Sequence, residues 1–236
     1  MDKSDGATFS QLTYQMLNNN SKSQNIDNIN NTLQEEGLSN WYISPELSGK
    51  DISTFVNETT KQVVIAHRGT DTSGRKTKND ISSDVLLGLG AEENSKAFNK
   101  RKNRTEAIIK AIPEDYKIFG SGHSLGGATM GYTLENSKLA RNRIEKVRLY
   151  NAGASPFQSQ ISAKKKSILD EKVVFHRTRN DAVSASLLIN PRYGKIKTQD
   201  TKMSSLTKYV PGHLGYIFGG AEALDAHKLH HFKKNK

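Results

Sequence analysis

Cysteine is absent from all 236 residues. That excludes disulfides, cysteine-ligated zinc and thiol catalysis together. Long apolar runs are missing too: no stretch approaches the ~20 residues a membrane-spanning helix needs. The opening MDKSDGATFS holds no apolar segment of the kind that directs secretion. These absences lead us to expect a cytoplasmic or virion-associated setting rather than classical secretion. Acidic residues are under-represented, 24 Asp and Glu against 35 Lys and Arg, for a net charge of +11. With 34% hydrophobic residues and a mean hydropathy of −0.67, the chain has a modest core and a very polar surface.

The positive charge falls in runs, KAFNKRKNR (96–104), KKK (164–166) and KKNK (233–236). None is interleaved with aromatic residues as in a single-strand binder, so nucleic acid is not the expected partner. Solvated faces and a loose tail account for the runs, with peripheral contact to an anionic membrane surface as the functional alternative. No linker is long enough to divide the chain. We therefore expect a single domain over 1–236, with a polar N-terminal helical segment (1–40), a candidate lid or insert (71–103) and a basic tail (233–236). The sequence does not set an oligomeric state.

Local patterns give the fold class. FSQLTYQML (9–17) carries apolar residues at helical spacing, and IDNINNTLQEEGL reads as a second helix ending at Gly37. WYIS (41–44), ISTFVN (52–57) and QVVIAH (62–67) are short, β-branched or aromatic runs between turn residues. Residues 95–112 read as a helix closed by Pro113, YKIFGSG as a strand, and ATMGYTLENSKLA as a helix. KVRLYNAG (146–153) and KVVFHRTRN (172–180) are two more strands, with helical or loop material around 157–170 between them. Over 182–221, SLLIN, YGKIKT and YVPGHLGYIFGG hold strand-like pieces without a clean period, and AEALDAHKLHHF (221–232) reads as a helix. Strands alternating with helices predict an α/β fold with a mostly parallel central sheet flanked by helices.

At the junction of YKIFGSG and the following helix lies G-x-S-x-G, residues 122–126. A nucleophile elbow needs this context, with the serine at the apex of a strand–turn–helix and small residues beside it. Gly122 and Gly126 flank the serine at the two positions where a side chain would collide with the neighbouring strand or helix, and Gly127 lets the helix pack close to the sheet. A phosphate loop is excluded by the missing G-K-[ST]. Ser124 is thus a candidate nucleophile, and a serine needs a base oriented by an acid. Asp181, directly after the strand KVVFHRTRN, is the candidate acid; Asp170 and Asp200 follow strands less clearly. Downstream lie His213 in a turn-like P-G-H-L-G, His227 opening H-K-L-H-H-F, and His230 and His231 beside the basic tail. His67, His123 and His176 come in the wrong order for the base and read as structural, with His123 able to line the pocket.

Several segments together resemble class 3 lipases, the fungal triacylglycerol lipase-like branch of the α/β-hydrolases. H-R-G-T-D (67–71) is similar to their F-R-G-[ST] motif, and G-H-S-L-G-G-A (122–128) to their elbow. N-D-I-S-S-D-V (79–85) resembles the N-W-x-x-D-[LV] segment, with Asp80 in place of the aromatic. N-D-A-V-S (180–184) resembles N-D-x-V-P, with Ser184 for proline, and H-K-L-H-H-F (227–232) resembles the ending that carries the catalytic histidine. The resemblance spans roughly 41–232. It implies an α/β-hydrolase fold and a serine carboxylic-ester hydrolase, a lipase, esterase or phospholipase. Ser124 would be the nucleophile, Asp181 the acid and His227 the base, with His213 as the alternative base. Thr70 and Leu125 would supply the oxyanion hole. Neither metal nor cofactor is implied, and the substrate would be a lipid or small ester. The polar stretch 71–83 departs from an amphipathic lid helix, leaving VLLGLG (85–90) as core or lid. Two other functions compete: a catalytically silent hydrolase-like scaffold or binding protein, in a virion for example, and a nucleic-acid binder acting through charge.

Overall fold

The computed structural model describes residues 1–18, 20–70, 92–153, 161–179, 181, 183–184, 193–200 and 228–233. Its centre is a seven-stranded sheet ordered as in the chain: β1 (Tyr42–Ile43), β2 (Ile52–Asn57), β3 (Gln62–His67), β4 (Lys117–His123), β5 (Ile144–Tyr150), β6 (Val173–Thr178) and β7 (Lys195–Gln199). The first two pairings are antiparallel, and every pairing from β3 to β7 is parallel. All side chains of β2, and all but the first of β3 and β4, are buried. This is the pattern of strands covered on both faces.

Alternate residues supply the two faces. Val63, Ile65, Ile118 and Val147 point to a core shared with α3 (Glu92–Ala111), α4 (Leu125–Asn136), α5 (Lys138–Arg143) and α6 (Ala163–Lys172). Val64, Ala66, Phe55 and Phe119 meet Phe9, Leu12 and Met16 from α1 (Lys3–Leu12) and its 3₁₀ extension (Thr13–Leu17), and Ile29 and Leu33 from α2 (Lys22–Glu35). Each fully buried Val, Leu, Ile or Phe side chain among them is worth about 1.5–3 kcal/mol. The result is an α/β fold with a mixed, mostly parallel sheet between helical layers and a strand–turn–helix at 122–126, the arrangement expected of an α/β-hydrolase.

Differences from the sequence reading have local causes. The helix expected to run on to residue 140 is interrupted at Ser137, whose side chain accepts from the Ala140 N–H and starts α5 afresh. Of the helix expected over 221–232, residues 229–232 form a 3₁₀ turn, and 221–227 lie outside the described residues. So do 71–91, with VLLGLG and N-D-I-S-S-D-V up to residue 85, together with YVPGHLGYIFGG and 234–236. None of the described helices is long and apolar enough to cross a membrane.

His176 on β6 gives the fold a pH dependence. It is 3% exposed, stacks on Tyr150 (centroids 5.2 Å apart) and stands 3.2 Å from Arg148 Nη1. Arginine can only donate, so Nε2 is the acceptor and the ring is neutral. Burial first, then Arg148, Lys3 and Lys197, lowers its pKa to about 3. The unfolded chain, near 6.5, binds the proton more readily, so this contribution is complete above that pH and is lost as pH falls toward 3. We expect wild type to lose ~2 kcal/mol more stability than His176→Gln between pH 7 and 5. Urea unfolding at the two pH values measures this, and equal losses would refute it.

Candidate active site

Ser124 sits between the last residue of β4 and the first of α4, at φ 56° and ψ −128°. A non-glycine residue at positive φ is strained, and such strain persists where the surroundings enforce it. Here the Ser124 N–H donates to the Tyr150 carbonyl (3.0 Å), and the Ser124 carbonyl accepts from Gly127 (3.0 Å) and Ala128 (3.2 Å). A Cβ on Gly122 would stand 2.6 Å from the Gly126 carbonyl oxygen, and one on Gly126 would run into the His67 carbonyl. Only glycine fits at either place, as the sequence suggests.

The serine is at the N-cap of α4 but does not cap it. Asp2, Ser21, Ser137 and Ser162 each accept, through the side chain, a backbone N–H three residues on, whereas Ser124 makes no side-chain cap bond. Its backbone leaves the extended region that capping requires. The hydroxyl is therefore not committed to stabilising the helix. The first N–H groups of α4, Leu125 among them, have no intrahelical partner.

Parallel pairing brings the other elements to the same sheet edge. In register, His67 lies beside Gly122, His123 beside Tyr150, and Tyr150 beside His176. Arg68, Gly69 and Thr70 leave β3 at this edge, Ser124 leaves β4 and Asn151 leaves β5. Asn151, at φ 43°, ties the edge together: its N–H donates to the His176 carbonyl (2.8 Å), and its Oδ1 accepts from the Thr178 N–H (2.9 Å). Asp181 follows β6 at 1% exposure; its N–H donates to the Thr178 carbonyl (3.3 Å), and its Oδ2 accepts from the Ser184 N–H (2.8 Å). The Asp181 carboxylate also favours the charged form of the largely buried Arg177, against desolvation. One strand separates β4 from β6, a span of about 10 Å; an imidazole bonded through both nitrogens covers about 8 Å of it, and the side chains it bonds must supply the rest.

The competing carboxylates are held in ion pairs, Asp170 at the far end of the strands and Asp200 directly after β7 at this end. Asp170 pairs with Lys166 (2.6 Å) and accepts from the Gly194 N–H, and Asp200 pairs with Arg179 (2.5 Å) at an exposed position. His67 is fully buried between Thr129 Oγ1 (3.0 Å) and Thr105 Oγ1 (2.8 Å), and burial holds its pKa well below the usual value. It reads as structural, as expected. His213 and His227 lie outside the described residues. His230 and His231 are on the 3₁₀ turn Leu229–Phe232, whose Leu229 and Phe232 join Tyr150 and Ala7 in one buried cluster.

The sequence reading missed Tyr14. Its hydroxyl bonds His123 Nδ1 (2.9 Å) and crowds the point where a Cβ on Gly69 would lie. The His123 carbonyl (2.8 Å) and Ser124 Cβ (3.2 Å) approach that same point. The apolar spacing of 9–17 signals that this segment packs, but nothing local marks Tyr14 as a neighbour of residue 124.

No family model and no curated protein matches the sequence. Among solved structures, the chain is similar to a mutant form of MDLA from Penicillium cyclopium at 15% identity and TM-score 0.43, over 86% of this chain and 77% of that one. It is similar to a triacylglycerol lipase from Penicillium expansum at 16% identity and TM-score 0.37, over 63% and 64%. For Rhizomucor miehei lipase in complex with its propeptide the figures are 14% and 0.37, over 75% and 62%. The matched region thus spans less than two thirds of the latter two chains.

Proposed function

We propose that this chain is a serine carboxylic-ester hydrolase of the class 3 lipase type. The observation that carries the reading is Ser124: a strained, non-capping serine at a strand–helix apex, on the same sheet edge as a buried carboxylate. Ser124 Oγ would attack the ester carbonyl while the base takes its proton. The N–H groups of Thr70 and Leu125 would hold the oxyanion, and the alkoxide would leave with the proton returned by the base. A water activated by the same base would then release the acid from the acyl-enzyme.

His227 is the base we assign. It opens H-K-L-H-H-F (227–232), the segment that resembles the histidine-bearing ending of class 3 lipases. His213, in P-G-H-L-G, is the alternative base. Asp181 would orient the imidazole and stabilise its charged form. The substrate is a lipid or small carboxylic ester.

An alkyl fluorophosphonate tests the reading, with the adduct mapped by peptide mass spectrometry. One phosphonyl group on Ser124 is expected, together with hydrolysis of p-nitrophenyl esters of graded chain length. A wild-type protein that takes up no label, with and without detergent, would sink it.

A further inference from the structure

A backbone oxyanion donor is only as well aimed as its peptide plane. Around Thr70 that plane is gripped by side chains. Arg68 Nη1 donates to the Gly69 carbonyl (2.9 Å), its Nε donates to the Lys50 carbonyl (2.8 Å), and its Nη2 pairs with Asp51 Oδ1 (3.1 Å). The Arg68 backbone is fixed as well. Its N–H donates to the Asp51 carbonyl (3.0 Å), and its carbonyl accepts from Arg101 Nη1 (2.6 Å). Arg101 reaches in from α3 with its side chain 11% exposed; it also pairs with Asp51 Oδ1 (3.3 Å) and donates to Thr129 Oγ1 (3.3 Å).

The Gly69 carbonyl and the Thr70 N–H belong to one planar unit. No cis peptide occurs among the described residues, so the two groups point in opposite directions. Fixing the carbonyl on Arg68 therefore fixes the N–H on the far side. Gly69 itself is pressed against the elbow by the His123 carbonyl and Ser124 Cβ. Contact with the elbow sets where the plane sits, and the guanidinium sets how it is turned.

We infer that Arg68, seated by Asp51 and braced by Arg101, is a positioning residue that aims the Thr70 N–H at the oxygen of the reacting carbonyl. The inference rests on the serine-hydrolase reading above. It requires the planar fork of arginine, because a lysine keeps the charge but cannot hold Lys50, Asp51 and Gly69 at once.

Steady-state hydrolysis of p-nitrophenyl butyrate by Arg68→Lys and Arg101→Gln, with thermal unfolding of both, tests it. Losing one oxyanion donor costs about 10²–10³ in kcat, and a misaimed one somewhat less. We expect Arg68→Lys to lose about ten- to a hundredfold in kcat with KM within about twofold and Tm nearly unchanged. Arg101→Gln, farther from the plane, should lose a smaller factor, also in kcat. A kcat equal to wild type in Arg68→Lys overturns the inference, and so does a loss that follows Tm across both variants, since a purely structural clamp behaves that way. Should Arg68→Lys fail to fold, the kcat and KM of Arg101→Gln decide alone. A wild type that hydrolyses the ester and is labelled on Ser124 leaves the parent reading standing whichever way the variants fall; an unlabelled wild type removes both.

Discussion

Ser124→Ala is expected to lower kcat for ester hydrolysis by about a millionfold, the loss found when the nucleophile of a serine triad is removed. The effect on stability should stay within ~1 kcal/mol. The Ser124 side chain makes no cap bond, and an alanine Cβ sits at φ 56° as badly as that of serine. Ser124→Gly separates the two roles of the position. Glycine tolerates this backbone, so it should relieve about 1 kcal/mol of strain while remaining inactive. An enzyme that becomes more stable as it loses its nucleophile would show the cost of holding the hydroxyl at the apex. Hydrolysis of p-nitrophenyl butyrate and urea unfolding on the three proteins measure both quantities. Wild-type rates in Ser124→Ala would place the nucleophile elsewhere.

What could be read from the sequence divides along the range of the forces involved. β2 and β3 coincide with ISTFVN and QVVIAH residue for residue, because β-branched runs between turn residues are set locally. Gly37, read as a helix stop, lies at φ 74° just past α2. The elbow glycines were legible for a similar reason: the motif specifies a turn, and the turn leaves no room for a Cβ.

Arg101 was not legible as a clamp, because it lies inside a run of lysines and arginines. The helical period does distinguish it. Phe98, Thr105, Ile108 and Ile109 are buried, and residue 101 falls on their face, while Lys96 and Lys100 face solvent. Tyr14 could not have been found this way. It meets His123 across 109 positions, through the packing of α1 on β4, where Ser10 Oγ bonds Ser121 Oγ and the latter bonds the Gly6 carbonyl. Only the assembled sheet brings such partners together.

Asp181→Asn is the second large effect, a fall of about 10⁴ in kcat. This substitution separates the two reasons an aspartate can follow a strand. As a turn or cap residue, Asp181 would need only an oxygen to accept the Ser184 N–H, and asparagine supplies one at almost no loss. As the orienting acid it needs the negative charge, because an asparagine amide can donate to the imidazole and select the wrong tautomer. Asparagine would also withdraw the carboxylate that favours the charged form of Arg177, so a stability loss of ~1–3 kcal/mol should accompany the change. The two losses are separable. The activity defect should persist well below the unfolding transition, and fluorophosphonate labelling of Ser124 should slow without stopping. Asp170→Asn and Asp200→Asn remove carboxylates from solvent-exposed ion pairs and should leave kcat unchanged, with stability within ~1 kcal/mol. An Asp181→Asn protein with wild-type kcat would reduce residue 181 to a turn residue and reopen the search for the acid.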